Sequence, residues 1–125
     1  PILDRKPVVH NEPDPEAWDA NPKVFQVKGE DVEFFTIGQL GEALDGRSPI
    51  TMRKWERKGF IPKATFYKPS DDPHGRRRLY SRAQVDGIVR IAKEEGIFPH
   101  NSRTKVSSTN FTKRVTALFK ELMAS

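Results

Sequence analysis

Arg53, Lys54, Arg57 and Lys58 stand at positions i, i+1, i+4 and i+5 of one short segment, and Arg76, Arg77, Arg78 and Arg82 follow further along the chain. Side chains of this kind hold phosphate: a guanidinium donates paired, charge-assisted hydrogen bonds, and an ammonium acts as a compact point charge. Either cluster alone reads equally well as a solvated face. Two clusters flanking one pair of short helices point instead to a polyanion.

Other chemistry has little to rest on. His10, His74 and His100 are far apart in the chain, and none has metal-ligand spacing with another histidine or a carboxylate. No HExxH, GxSxG or phosphate-loop pattern occurs. The adjacent carboxylates Asp71/Asp72 and Glu94/Glu95 have the composition for acid–base work or metal binding, but carboxylate pairs in a loop and at a helix end are ordinarily solvated. The chain has no cysteine, which removes disulfides, thiolate metal sites and thiol nucleophiles together. The expectation is therefore no enzyme, no metal and no cofactor.

Charge is unevenly spread over the 125 residues. Residues 1 to 33 hold four basic and eight acidic side chains, a net of −4, while residues 34 to 125 hold eighteen and nine, a net of +9. A basic net charge alone is weak support for nucleic-acid binding, but its concentration in one part is stronger. With 35% apolar residues, the length suits one small domain with appendages. No run of about 18 apolar residues exists to cross a membrane, and no signal-peptide pattern is visible. A cytoplasmic location is expected.

The elements that must position the cations can be read locally. Thr36 precedes Ile37, Leu40 and Leu44, an i, i+3, i+7 stripe for a short helix capped by a hydroxyl. Gly46 breaks it. Ser48 and Pro49 start a second helix, the serine accepting otherwise orphaned amides and the proline filling a first-turn position. That helix runs to about Lys58, with Met52 and Trp55 on its inner face and Gly59 as a left-handed C-cap. Ser81 caps a third helix with Val85, Ile88, Val89 and Ala92 on one face, ending near Gly96. After a linker, Ser108 or Thr109 caps a final helix whose apolar stripe is Phe111, Val115, Leu118, Phe119 and Leu122. Burial of that stripe requires either its own domain or a second copy, since each large apolar side chain is worth roughly 1.5 to 3 kcal/mol when buried. Upstream, Lys23 to Val27 and Val32 to Phe35 suit a hairpin around Lys28-Gly29-Glu30-Asp31. Residues 1 to 22, rich in proline and acidic side chains, suit an extended or disordered arm, with Trp18 anchoring it to the domain or binding a protein partner.

These segments carry a resemblance. The Thr36–Leu40 run Thr-Ile-Gly-Gln-Leu, the Ser48–Pro62 run with Ser-Pro, Thr51, Arg53, Trp55, Glu56, Gly59 and Ile61-Pro62, and Arg78-Leu79-Tyr80-Ser81 are similar to the MerR-type winged helix-turn-helix family. The layout also resembles small MerR-like DNA-binding proteins of phages. The resemblance covers residues 35 to about 98. It implies a mainly α fold with a small β wing, here with an N-terminal β-hairpin and a C-terminal helix. Its divisions are an arm over 1–22, a winged domain over 23–98, and a linker and helix over 99–125. The loop from Lys63 to His74 is longer than a usual wing. Only some thirty residues follow Glu95, so a coiled coil with an inducer-sensing domain is not expected.

The partner so implied is double-stranded DNA. Ile50, Thr51, Arg53 and Lys54 are placed to enter the major groove, where arginine pairs with guanine and isoleucine meets a thymine methyl; the resemblance also suggests phosphate for Arg53. Ser48, Arg57 and Lys58 complete the candidate set on that helix. Arg76, Arg77 and Arg78 would bind phosphate or probe the minor groove, with Arg82 behind them. Tyr80 reads equally as a phosphate donor and as a core residue beside Trp55, while Glu56 would orient an arginine. The family's dimers imply the final helix, through Phe111, Val115, Leu118, Phe119 and Leu122, as a homodimer contact. Transcription regulation in a bacterial cytoplasm or nucleoid is the leading use. The alternatives are an architectural, excisionase-like factor and a protein-interaction module.

Overall fold

The computed structural model describes residues 17–67 and 77–124. Most of the proline-rich arm, the loop tip with Pro69, Asp71, Asp72, Pro73 and His74, and Arg76 of the candidate set lie outside the described residues.

The chain begins with a hairpin. Strands β1 (Lys23–Val27) and β2 (Glu30–Thr36) pair antiparallel with Phe25 opposite Val32. Lys28 and Gly29 between them both have positive φ, 53° and 83°, the two-residue turn whose twist suits paired strands. Thr36 ends β2 and caps α1 (Ile37–Ala43): its hydroxyl accepts from the Gln39 N–H at 3.2 Å, and the Gln39 side chain accepts from the Thr36 N–H at 2.8 Å. Asp45 and Gly46, at φ 63° and 75°, reverse the chain into α2 (Pro49–Lys58). There the Ser48 hydroxyl accepts from the Thr51 N–H, Pro49 opens the helix, and Gly59 closes it at φ 81°.

Strands β3 (Phe66–Tyr67) and β4 (Arg78–Ser81) follow, then α3 (Arg82–Glu94), a 3-10 turn at Val106–Ser108, and α4 (Phe111–Ala124). Ser81 and Gln84 form a capping box at the start of α3. The Thr109 hydroxyl accepts from the Phe111 N–H at the start of α4.

The sheet is larger than a mainly α reading with a separate small wing allows. The four strands among the described residues form one antiparallel sheet in the order β1-β2-β4-β3, because β2 continues past the hairpin and pairs Phe35 with Tyr80 and Thr36 with Leu79. The fold is mixed α/β. The neighbours Phe34 and Phe35 explain why: period-two alternation sends them to opposite faces. Phe35 enters the core with the helices, while Phe34 is held on the other face by Phe25 and Phe66, at ring-centroid distances of 6.1 and 4.9 Å.

Phe35, Leu40, Leu44, Met52, Ile61, Tyr80, Val85, Ile88 and Ala92 make the core. Trp18 closes it from the N-terminal side, edge-on to Phe35 at 4.7 Å, so it anchors the chain to the domain.

The final helix packs on its own chain. Phe111, Val115 and Phe119 are buried, Phe111 lies edge-on to Trp55 at 5.7 Å, and Leu118 fills the space that Gly87 leaves by having no side chain. Of the residues expected as a dimer contact, Phe111, Val115, Leu118, Phe119 and Leu122, the first, second and fourth are therefore not available to a second copy. Three of the five are consumed in the core, and Leu118 and Leu122 remain only half-exposed. Arg114 reinforces the docking by pairing with Glu94 and, at 3.0 Å, with Glu95. Those carboxylates are thereby engaged as structural ion pairs; the Glu95 carboxyl is held below its ordinary range first by the Asn110 N–H and then by Arg114.

Candidate nucleic-acid interface

Helix α2 buries one side and offers the other to solvent. Met52, Trp55 and Glu56 face inward, whereas Arg53, Lys54, Arg57 and Lys58 are exposed. Ile50 near its start is 75% exposed, an apolar side chain left on an otherwise cationic face. Among the described residues, Arg53, Lys54 and Arg57 have no carboxylate within ion-pair distance, so their charge is not neutralised inside the fold. The Ser48 and Thr51 hydroxyls lie 3.1 Å apart and are engaged with each other at the cap.

An open cleft of about 350 Å³ lies between the start of α1, the start of α2 and the start of β4. Thr36, Ile37, Gly38 and Pro49 give it a low floor, and Arg53, Arg77 and Arg78 line it with cations. Arg53 comes from α2, Arg78 from the start of β4 and Arg77 from the residue before it, so parts of two clusters distant in sequence meet in one place. Arg78 is fixed there by Glu56, whose Oε1 accepts from its Nε at 2.6 Å. The role expected of Glu56, orienting an arginine, is the one it has in the fold.

Two candidates are drawn elsewhere. Tyr80 is fully buried and its hydroxyl donates to Glu56 Oε2 at 3.1 Å, so it is a core residue and has no path to a phosphate. Burial, followed by the adjacent Glu56 charge, raises its pKa far above the ordinary tyrosine value. Arg82 pairs with Glu33 at 2.7 Å and Asp19 at 3.2 Å, and lies over the rings of Trp18 and Phe35. Its charge is spent inside the fold, holding the N-terminal segment to the sheet.

One residue outside the candidate set organises the helix pair. The Arg47 guanidinium donates to the carbonyls of Leu44, Ile97, Phe98 and Pro99 at 2.7 to 3.2 Å and sits 5.0 Å from the centre of the Trp55 ring. Its sequence signal is an arginine set apart from both cation clusters, directly after the turn glycine. Of the cleft floor, Pro49 was legible only as a helix-start residue and Gly38 only as part of the Thr36–Leu40 run. Among the described residues, no group of three or more His, Asp or Glu side chains is arranged to hold a metal ion, and no helix is long and apolar enough to cross a membrane.

No family model matches the chain, and neither does any curated protein or solved structure.

Proposed function

We propose that this chain binds double-stranded DNA as a winged helix-turn-helix domain of the MerR type, with α2 as the recognition helix and β3–β4 as the wing. The observation that carries this reading is the convergence of Arg53 with Arg77 and Arg78 in one open cleft, beside a helix face bearing Lys54, Arg57, Lys58 and exposed Ile50. Arg53 without a carboxylate partner, and Arg78 held by Glu56 with its terminal nitrogens directed away from that bond, suit a phosphate backbone that runs past both elements. The start of α2 then meets base edges in the major groove. Regulation of transcription in a bacterial cytoplasm or nucleoid is the use we assign to this activity.

Gel shifts test it with the purified chain on random duplex and on duplex enriched by selection from a random pool. The expected result is binding to both at low salt, and one discrete complex with the enriched sequence that survives added competitor. A ladder of complexes on one duplex would redirect the assignment to an architectural factor. Absence of any shift at low salt would remove the DNA reading.

A further inference from the structure

Glu56 is the only charged side chain among the described residues that is buried. Isolating a carboxylate from water is costly unless its oxygens are occupied, and here both are. Oε1 accepts from Arg78 Nε at 2.6 Å, and Oε2 accepts from the Tyr80 hydroxyl and the Ala64 N–H, each at 3.1 Å. One side chain of α2 thus holds β4 and the segment that follows α2. Arg78 also lines the cleft with Arg53 and Arg77. A carboxylate bound at Nε leaves the four N–H donors on the two terminal nitrogens for an anion.

We propose that Glu56 is a positioning residue for phosphate recognition: it orders the Arg78 guanidinium in the cleft so that a DNA backbone phosphate meets a preset donor. Resting on the DNA-binding reading, the proposal adds a specific consequence. A guanidinium already ordered loses little further freedom when it binds, which favours the complex. Electrostatics alone has the opposite sign, because removing a carboxylate beside a phosphate site raises the local positive potential and should tighten binding.

Fluorescence anisotropy of the full chain with a duplex enriched from a random pool, over a series of salt concentrations, separates the two. Glu56→Gln is expected to weaken binding by about fivefold, a coupling of ordinary size for residues in one network. The slope of log K against log salt should become shallower by about 0.9, one phosphate contact. Glu56→Asp keeps the charge but is one methylene shorter; it should show the same loss, and it carries the measurement if thermal melting shows that the glutamine variant fails to fold. Glu56→Gln combined with Arg78→Ala should bind no more weakly than Arg78→Ala alone. Binding by Glu56→Gln that is unchanged or tighter, with an unchanged slope, would overturn the positioning role while leaving DNA binding intact. A wild-type chain that binds no duplex would instead remove the underlying reading.

Discussion

The arginines of this chain differ in their surroundings far more than in their chemistry. Arg53 and Arg77 are exposed and line the cleft, Arg82 is neutralised by Glu33 and Asp19, and Arg47 is given over to backbone carbonyls. Arg47→Ala should therefore destabilise the fold by about 2 to 3 kcal/mol, since hydrogen bonds from a charged donor are lost and carbonyls are left unpaired. Arg53→Ala should leave urea unfolding within about 0.5 kcal/mol of wild type, as for other exposed sites. Equal losses for the two would contradict the division. Tyr80 supplies a pH dependence. The folded state holds its hydroxyl proton more tightly than the unfolded chain does, because burial and Glu56 both oppose ionisation. Below about pH 10 the group is protonated in both states and its contribution is complete; above that value the unfolded chain ionises first and stability falls. Urea unfolding from about pH 8 to about pH 11 should show a steeper alkaline loss for wild type than for Tyr80→Phe.

At the level of elements, the turn between α1 and α2 depends on a close approach. A Cβ at Gly41 would lie 2.2 Å from the Arg47 carbonyl oxygen, and the Arg47 N–H donates to the Gly41 carbonyl at 2.8 Å. Gly41→Ala should thus lower Tm even though alanine favours helix by roughly 1 kcal/mol, because the clash involves backbone that cannot swing aside. A raised Tm would show that the helix pair is looser than described. For α4, charged replacements at Leu118 and Phe119 should cost cooperative folding instead of yielding folded monomers, as intrachain packing requires; circular dichroism melting and size-exclusion chromatography distinguish these outcomes. The helices were legible in sequence because their signals are local: Thr36, Ser48 and Ser81 each cap within three residues, and Gly59 ends α2 where expected. The single sheet was not legible, since the pairing of β2 with β4 joins strands far apart in sequence and turns on which face Phe34 and Phe35 each take. Helix α4 offered one clear stripe, but its partner could not be told from the stripe alone. The side-chain space left by Gly87 is visible only in three dimensions.

Over the whole molecule, the acidic and basic parts of the chain are joined where Arg82 holds Asp19 and Glu33, and Arg53, Arg77 and Arg78 line one cleft. Arg53, Arg77 and Arg78, candidates from sequence, line that cleft, but sequence could not separate Arg82 from them. Its partners lie 49 and 63 residues away, beyond any local pattern. The proposed DNA binding requires Arg53 and Arg77 to meet backbone phosphates from that cleft. The most direct measurement is duplex affinity against salt for wild type and for the Arg53→Ala/Arg77→Ala double variant, with both confirmed folded by circular dichroism. Two lost contacts should make the slope of log K against log salt shallower by about 1.8 and weaken binding at every salt concentration. An unchanged slope, or a folded wild-type chain that binds no duplex at low salt, would contradict it.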